Sequence, residues 1–94
     1  MLVVKTPPSS TTELLKDPIL QLMVLTMEEC GELTQACSKA LRKNNPKLQL
    51  LKDEIGDVYA MIQLMQEFDI VSYDELDERV KIKRDKLRKW SDLV

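Results

Sequence analysis

Two short stretches of this chain, Glu29-Cys30-Gly31-Glu32 and Glu54-Ile55-Gly56-Asp57, each place two carboxylates three residues apart. On a helix that spacing makes surface neighbours, roughly 5 to 6 Å apart between β-carbons, so each pair presents two like charges on one side. Both pairs interrupt lines that are otherwise apolar, and a bound cation is the plainest way to offset the repulsion. Glu29, Glu32, Glu54 and Asp57 are therefore candidate metal ligands. The donors are all oxygens and the chain has no histidine, a combination that suits the hard ions Mg²⁺ and Mn²⁺. The same absence excludes a Ser-His-Asp or Cys-His nucleophilic system and the Glu-x-x-His ligands of di-iron bundles.

The bland alternative for a single acid pair is a solvated helix surface. Two pairs on inward lines, each enclosing one of the chain's two glycines, Gly31 and Gly56, favour a metal cluster. A glycine inside a helix costs about 1 kcal/mol relative to alanine, so something offsets that cost twice. Close helix packing is one reading; access for a metal or substrate is the other. Glu28 and Asp53 adjoin the pairs but point about 100° away on their helices, which makes each a neighbouring base or an exposed acid.

The elements that must position these residues follow from local signals. Low aromatic and glycine content, with abundant Leu, Lys, Glu and Met, points to an all-α fold. Ninety-four residues allow one domain, of a size often helped by a partner subunit. Residues 1–11, with Pro7-Pro8 and a Ser/Thr run, predict an extended arm whose start, Leu2-Val3-Val4, can dock on a neighbour. Thr12 to Lys16 has room for one short helical turn. Asp17-Pro18 then opens the first long helix as a cap followed by proline. Its apolar positions Ile19, Met23, Thr26, Cys30, Leu33, Cys37 and Leu41 keep helical spacing, and the adjoining line runs Leu22, Leu25, Glu29, Glu32 and Ala36, so the two acids continue an apolar line.

Arg42-Lys43 suits a helix end, and Asn44-Asn45-Pro46 restarts the chain. The second helix is expected over residues 46–68, with the stripe Leu50, Glu54, Asp57, Met61, Leu64, Phe68. Residues 58–65 are apolar around most of the helix, which three helices of one chain do not cover; a homo-oligomer supplies the missing burial. Ser72-Tyr73-Asp74-Glu75 is a capping box that opens a third helix to about Leu93. Its inward line reads Tyr73, Leu76, Val80, Lys83, Leu87, Trp90, Val94.

Lys83 in that line calls for an anion, with Lys86, Arg79 and Trp90 beside it at three- and four-residue spacing. The other third-helix bases fit a solvated face. Trp90 reads either as core or as a platform for a base, and Gln21, eight residues before Glu29, is placed to hydrogen-bond a base edge. A net charge of -2 argues against general nucleic-acid binding, although half of the lysines and arginines fall between Arg79 and Lys89. The apolar runs fall far short of the roughly 20 residues a membrane span needs, and no leader is visible, so a cytoplasmic protein is expected. Cys30 and Cys37, ~10 Å apart along one helix, read as reduced core residues.

The two acid pairs, with the glycine between them, resemble the mark of the MazG-like all-α nucleoside triphosphate pyrophosphohydrolases: Glu-x-x-Glu, a spacer, then Glu-x-x-Asp. Met27-Glu28-Glu29-Cys30-Gly31-Glu32-Leu33 is similar to the family's Glu-Glu-x-Gly-Glu-Leu, and the likeness extends over residues 18–90. The resemblance implies a helical bundle of three main helices, completed as a homodimer or homotetramer. It implies Mg²⁺-dependent hydrolysis between the α and β phosphates of a nucleoside triphosphate, giving a monophosphate and pyrophosphate. Glu29, Glu32, Glu54 and Asp57 would hold the metal, and Glu28 or Glu29 would take a proton from water. Lys83 and Lys86 resemble the family's phosphate-contacting positions. A phosphoribosyl-ATP pyrophosphohydrolase shares the acidic motif, but its phosphoribosyl-binding features are not evident near the second pair. A non-catalytic helical module with a structural metal site is the alternative from another class.

Overall fold

The computed structural model describes residues 16–43 and 48–94. These form three helices and no strand: α1, Pro18–Lys43; α2, Leu48–Glu67; and α3, Tyr73–Trp90. The expected N-terminal arm, the turn up to Lys16 and the Asn44-Asn45-Pro46 restart lie outside or at the edge of the described residues. The chain divides into two compact units between Leu64 and Met65. The first holds α1 and most of α2, and the second holds the end of α2 with α3.

Local chemistry sets the helix ends. At α1, Asp17 Oδ1 accepts from the Ile19 N–H at 2.8 Å while the Asp17 carbonyl accepts from the Gln21 N–H at 2.9 Å. That is an aspartate cap ahead of a first-turn proline, as the sequence predicts. Helix α2 closes in a Schellman motif: the Asp69 N–H donates to the Gln66 carbonyl and the Ile70 N–H to the Met65 carbonyl, at 3.0 and 2.9 Å. Asp69 takes the left-handed conformation there, with φ 59°, a role more often given to glycine. At α3, Ser72 and Glu75 form the reciprocal capping box.

Helix α3 stops at Trp90, three residues before the expected end. The Ser91 backbone is extended, its hydroxyl donates to the Leu87 carbonyl at 2.8 Å and accepts from the Leu93 N–H at 3.3 Å. The Leu87 carbonyl also accepts from the Ser91 N–H at 2.9 Å, so the main chain and side chain of this cap residue share one carbonyl.

Burial separates the two lines of α1. Among the described residues only Leu22 and Ala36 are buried hydrophobics, 3% and 4% exposed. They lie seven residues before and seven after Glu29, on the line that carries the acid pair. Met23, Cys30, Cys37 and Leu41 are exposed. The cysteines are free, but they are not core residues. Leu20, Met23, Met27, Cys30, Thr34, Cys37 and Leu41 instead form an exposed seam at alternating steps of three and four.

On α2, Leu51, Glu54, Val58, Met61, Leu64 and Met65 are half-buried, while Leu50, Asp57 and Phe68 of the expected stripe are exposed. Residues 58–65 contain no fully buried side chain. The inward line expected on α3 is only partly covered: Leu76 and Leu87 are half-buried. Tyr73, Val80, Lys83 and Trp90 are exposed, Trp90 at 71%, and no residue of the helix is buried.

Candidate metal centre

The first unit brings both acid pairs together. Glu29 on α1 shares a face with Leu22 and Ala36, and Glu54 on α2 shares one with Leu51, Val58 and Met61, so the packing that aligns the two helices also carries their carboxylates inward. One carboxylate oxygen from each of Glu29, Glu54 and Asp57 lies within 4.8 Å of the others. A second triad on α1, Glu28, Glu29 and Glu32, meets the same limit. Glu29 belongs to both. The site is therefore two three-carboxylate groups joined at one residue, built from both helices.

Its electrostatics are those of a site short of positive charge. Burial raises the Glu29 pKa above the ordinary 4.5, with further upward contributions from Glu32, Asp57, Glu54 and Glu28. Glu54 is raised in the same way, by desolvation first and then by Glu32, Asp57 and Asp53, with Lys39 alone pulling it down. The Glu54 Oε2 atom is buried and has no hydrogen-bond partner among the described residues. A buried carboxylate oxygen normally has a donor, and this one lacks its partner among the described residues. An all-oxygen donor set around an orphaned oxygen fits a hard divalent cation.

No protein-family model, curated protein or solved structure matches the chain.

The remaining residues singled out by sequence are distributed as follows. Glu28 is half-buried and part of a triad, so of its two readings, a base beside the pairs or an exposed acid, the exposed one does not hold. A glutamate side chain spans one residue's rotation on the helix. Asp53 is exposed and accepts from Gln49 Nε2 at 2.8 Å. Gln21 is half-buried on α1, eight residues or ~12 Å along the axis from Glu29. Lys83, Lys86 and Trp90 are exposed on α3, in the second unit.

Close packing among the described residues does not explain the glycines, since a β-carbon built at Gly31 or Gly56 meets nothing of them within 4 Å. Sequence reasoning missed Lys39 and Gln35. With Glu32, Ala36, Leu50 and Glu54 they line an open hollow of about 120 Å³ beside the cluster. Their signal was present as the spacing Glu32, Gln35, Lys39, one face of α1.

Proposed function

We propose that the chain is a MazG-like nucleoside triphosphate pyrophosphohydrolase, cleaving between the α and β phosphates with Mg²⁺, or Mn²⁺, held by Glu29, Glu32, Glu54 and Asp57. The observation that carries this reading is the meeting of both acid pairs at Glu29, with Glu54 Oε2 buried and unpartnered. Mg²⁺ bound there would neutralise phosphate oxygens and make an attacking water more acidic. The chain's own part is to supply the donors, exclude bulk water from Glu54, and take the water's proton on Glu28 or Glu29. The raised pKa of Glu29 suits that role, because a base nearer neutrality holds a proton more readily. Lys83 and Lys86 would meet phosphate, Gln21 a base edge and Trp90 a base face.

The exposed apolar seam of α1, together with exposed Ile55 and Tyr59 on α2, supports a helical bundle completed by further copies of the chain, a homodimer or homotetramer. No helix among the described residues is long and apolar enough to cross a membrane, and the proposed enzyme works in the cytoplasm on free nucleotides.

A pyrophosphate-release screen over ribo- and deoxyribonucleoside triphosphates with Mg²⁺ tests the activity, with chromatography of the products. Monophosphate plus pyrophosphate is expected from at least one substrate. Diphosphate plus orthophosphate, or undiminished turnover in excess EDTA, contradicts the reading. Sedimentation of the metal-free chain tests the assembly, and a compact folded monomer at micromolar concentration refutes it.

A further inference from the structure

Helix α1 carries one line whose charge changes sign along its length: Glu28, Glu32, Gln35, Lys39 and Arg42, at alternating steps of four and three. Such steps keep to one face of a helix. Its acidic end belongs to the carboxylate cluster, and its basic end lines open space. Beside the 120 Å³ hollow is a second of about 400 Å³, lined by Gln35, Ser38, Lys39 and Arg42. Gln35 and Lys39 border both, so the two hollows adjoin. Neither Lys39 nor Arg42 forms an ion pair among the described residues, whereas Lys81 and Arg88 on α3 are paired with Asp77 and Asp85. The helix macrodipole accounts for Arg42 in the last turn. It does not account for Lys39, a turn further in and close enough to the cluster to act on Glu54.

We infer that Gln35, Ser38, Lys39 and Arg42 form a subsite for the distal phosphates of an oligophosphate whose reacting phosphorus lies at the carboxylate cluster. The inference rests on the pyrophosphohydrolase reading and deepens it. Lys39 is seven residues from Glu32, ~10 Å along the axis, a span covered by a lysine side chain and linked phosphates. Arg42 offers a planar fork to phosphate oxygens and Lys39 a mobile point charge, while the Gln35 amide and Ser38 hydroxyl can donate to further oxygens. In the reaction the water oxygen bonds to the α phosphorus and its proton passes to a carboxylate. The bond from that phosphorus to the α–β bridging oxygen breaks, and its electron pair stays on the oxygen that leaves in pyrophosphate. Lys39 and Arg42 stand where that negative charge grows.

Calorimetry with inorganic pyrophosphate and Mg²⁺ on the full chain reads this subsite without requiring turnover. Combining Lys39→Ala with Arg42→Ala is expected to weaken pyrophosphate binding by about tenfold or more, as loss of charge-assisted bonds does. Mg²⁺ affinity without pyrophosphate should change little, and Lys39→Arg should retain binding. Both side chains are exposed, so the fold is expected to survive. Absence of pyrophosphate binding by the unaltered chain, or unchanged affinity in the double variant, overturns the inference. An equal loss in Lys81→Ala combined with Arg84→Ala, which removes the same net charge, overturns it too. If no triphosphate is hydrolysed but pyrophosphate binding still depends on Lys39 and Arg42, the enzymatic reading fails and the subsite stands.

Discussion

Helix α3 and the α1–α2 pair are both rich in charge, yet they arrange it in opposite ways. On α3, Lys81 sits 3.2 Å from Asp77 and Arg88 is paired with Asp85. Acids occupy its first turn and bases its last, as the macrodipole favours. Two of its bases are paired with acids on the same helix, and the others are exposed. On α1 and α2 five carboxylates gather in two groups sharing Glu29, and one buried oxygen has no donor among the described residues. The surface helix pairs part of its charge within itself; the other two helices bring like charges together without a base paired to them among the described residues.

Breaking that difference at its deepest point should have the largest effect. Glu54→Gln keeps the shape but removes one charge from the cluster. Activity should fall by on the order of 100-fold or more, while the metal-free protein unfolds at the same or a higher temperature. Full turnover, or unfolding of the metal-free variant, would make the carboxylate structural.

The pH dependence sharpens the same point. Glu29 and Glu54 have pKa values raised above 4.5 in the folded chain, so the folded state holds their protons to higher pH than the unfolded state does. Stability from these two groups is present at acid pH and lost as pH rises through the raised range. A variant carrying Glu29→Gln and Glu54→Gln should therefore gain on the unaltered metal-free protein as pH rises above 4.5 in thermal unfolding. A constant difference across that range would mean that the crowding is relieved in solution.

Gly31→Ala and Gly56→Ala test whether the open space around the glycines persists in solution. Since an added β-carbon meets nothing among the described residues, each should stabilise by about 1 kcal/mol from helix propensity alone. Destabilisation, measured by denaturant unfolding, would show that another copy or a bound molecule covers that face. On the contrasting helix, Lys81→Ala breaks an exposed pair and should cost less than about 0.5 kcal/mol. A larger loss would place α3 in a buried interface.

Much of the helical layout is legible in the sequence because caps are local. Asp17-Pro18 and Ser72 with Glu75 announce their helices through side chains that satisfy nearby backbone groups. The acid pairs are legible for the same reason, since three-residue spacing fixes their common side. The exposure of the neighbouring line of α1, with the cysteines on it, is not. Met23, Met27, Cys30, Cys37 and Leu41 make the exposed line rich in apolar and sulfur-containing residues, and periodicity does not say whether a chain or its neighbour covers an apolar stripe. Lys39 escaped notice because a base near a helix end already has an electrostatic reason to be there. The chain turns extended at Ser91 while the apolar pattern runs on to Val94, so periodicity alone carries the helix too far.

Glu29 is the residue on which the whole account turns, being common to both triads. Titration of the metal-free chain with Mn²⁺, followed by calorimetry, compares it directly with Glu29→Gln and Glu32→Gln. The account predicts saturable binding to the unaltered chain, near-complete loss in Glu29→Gln and a smaller loss in Glu32→Gln, because the second change leaves the Glu29, Glu54, Asp57 group intact. Mn²⁺ affinity unchanged in Glu29→Gln would contradict it.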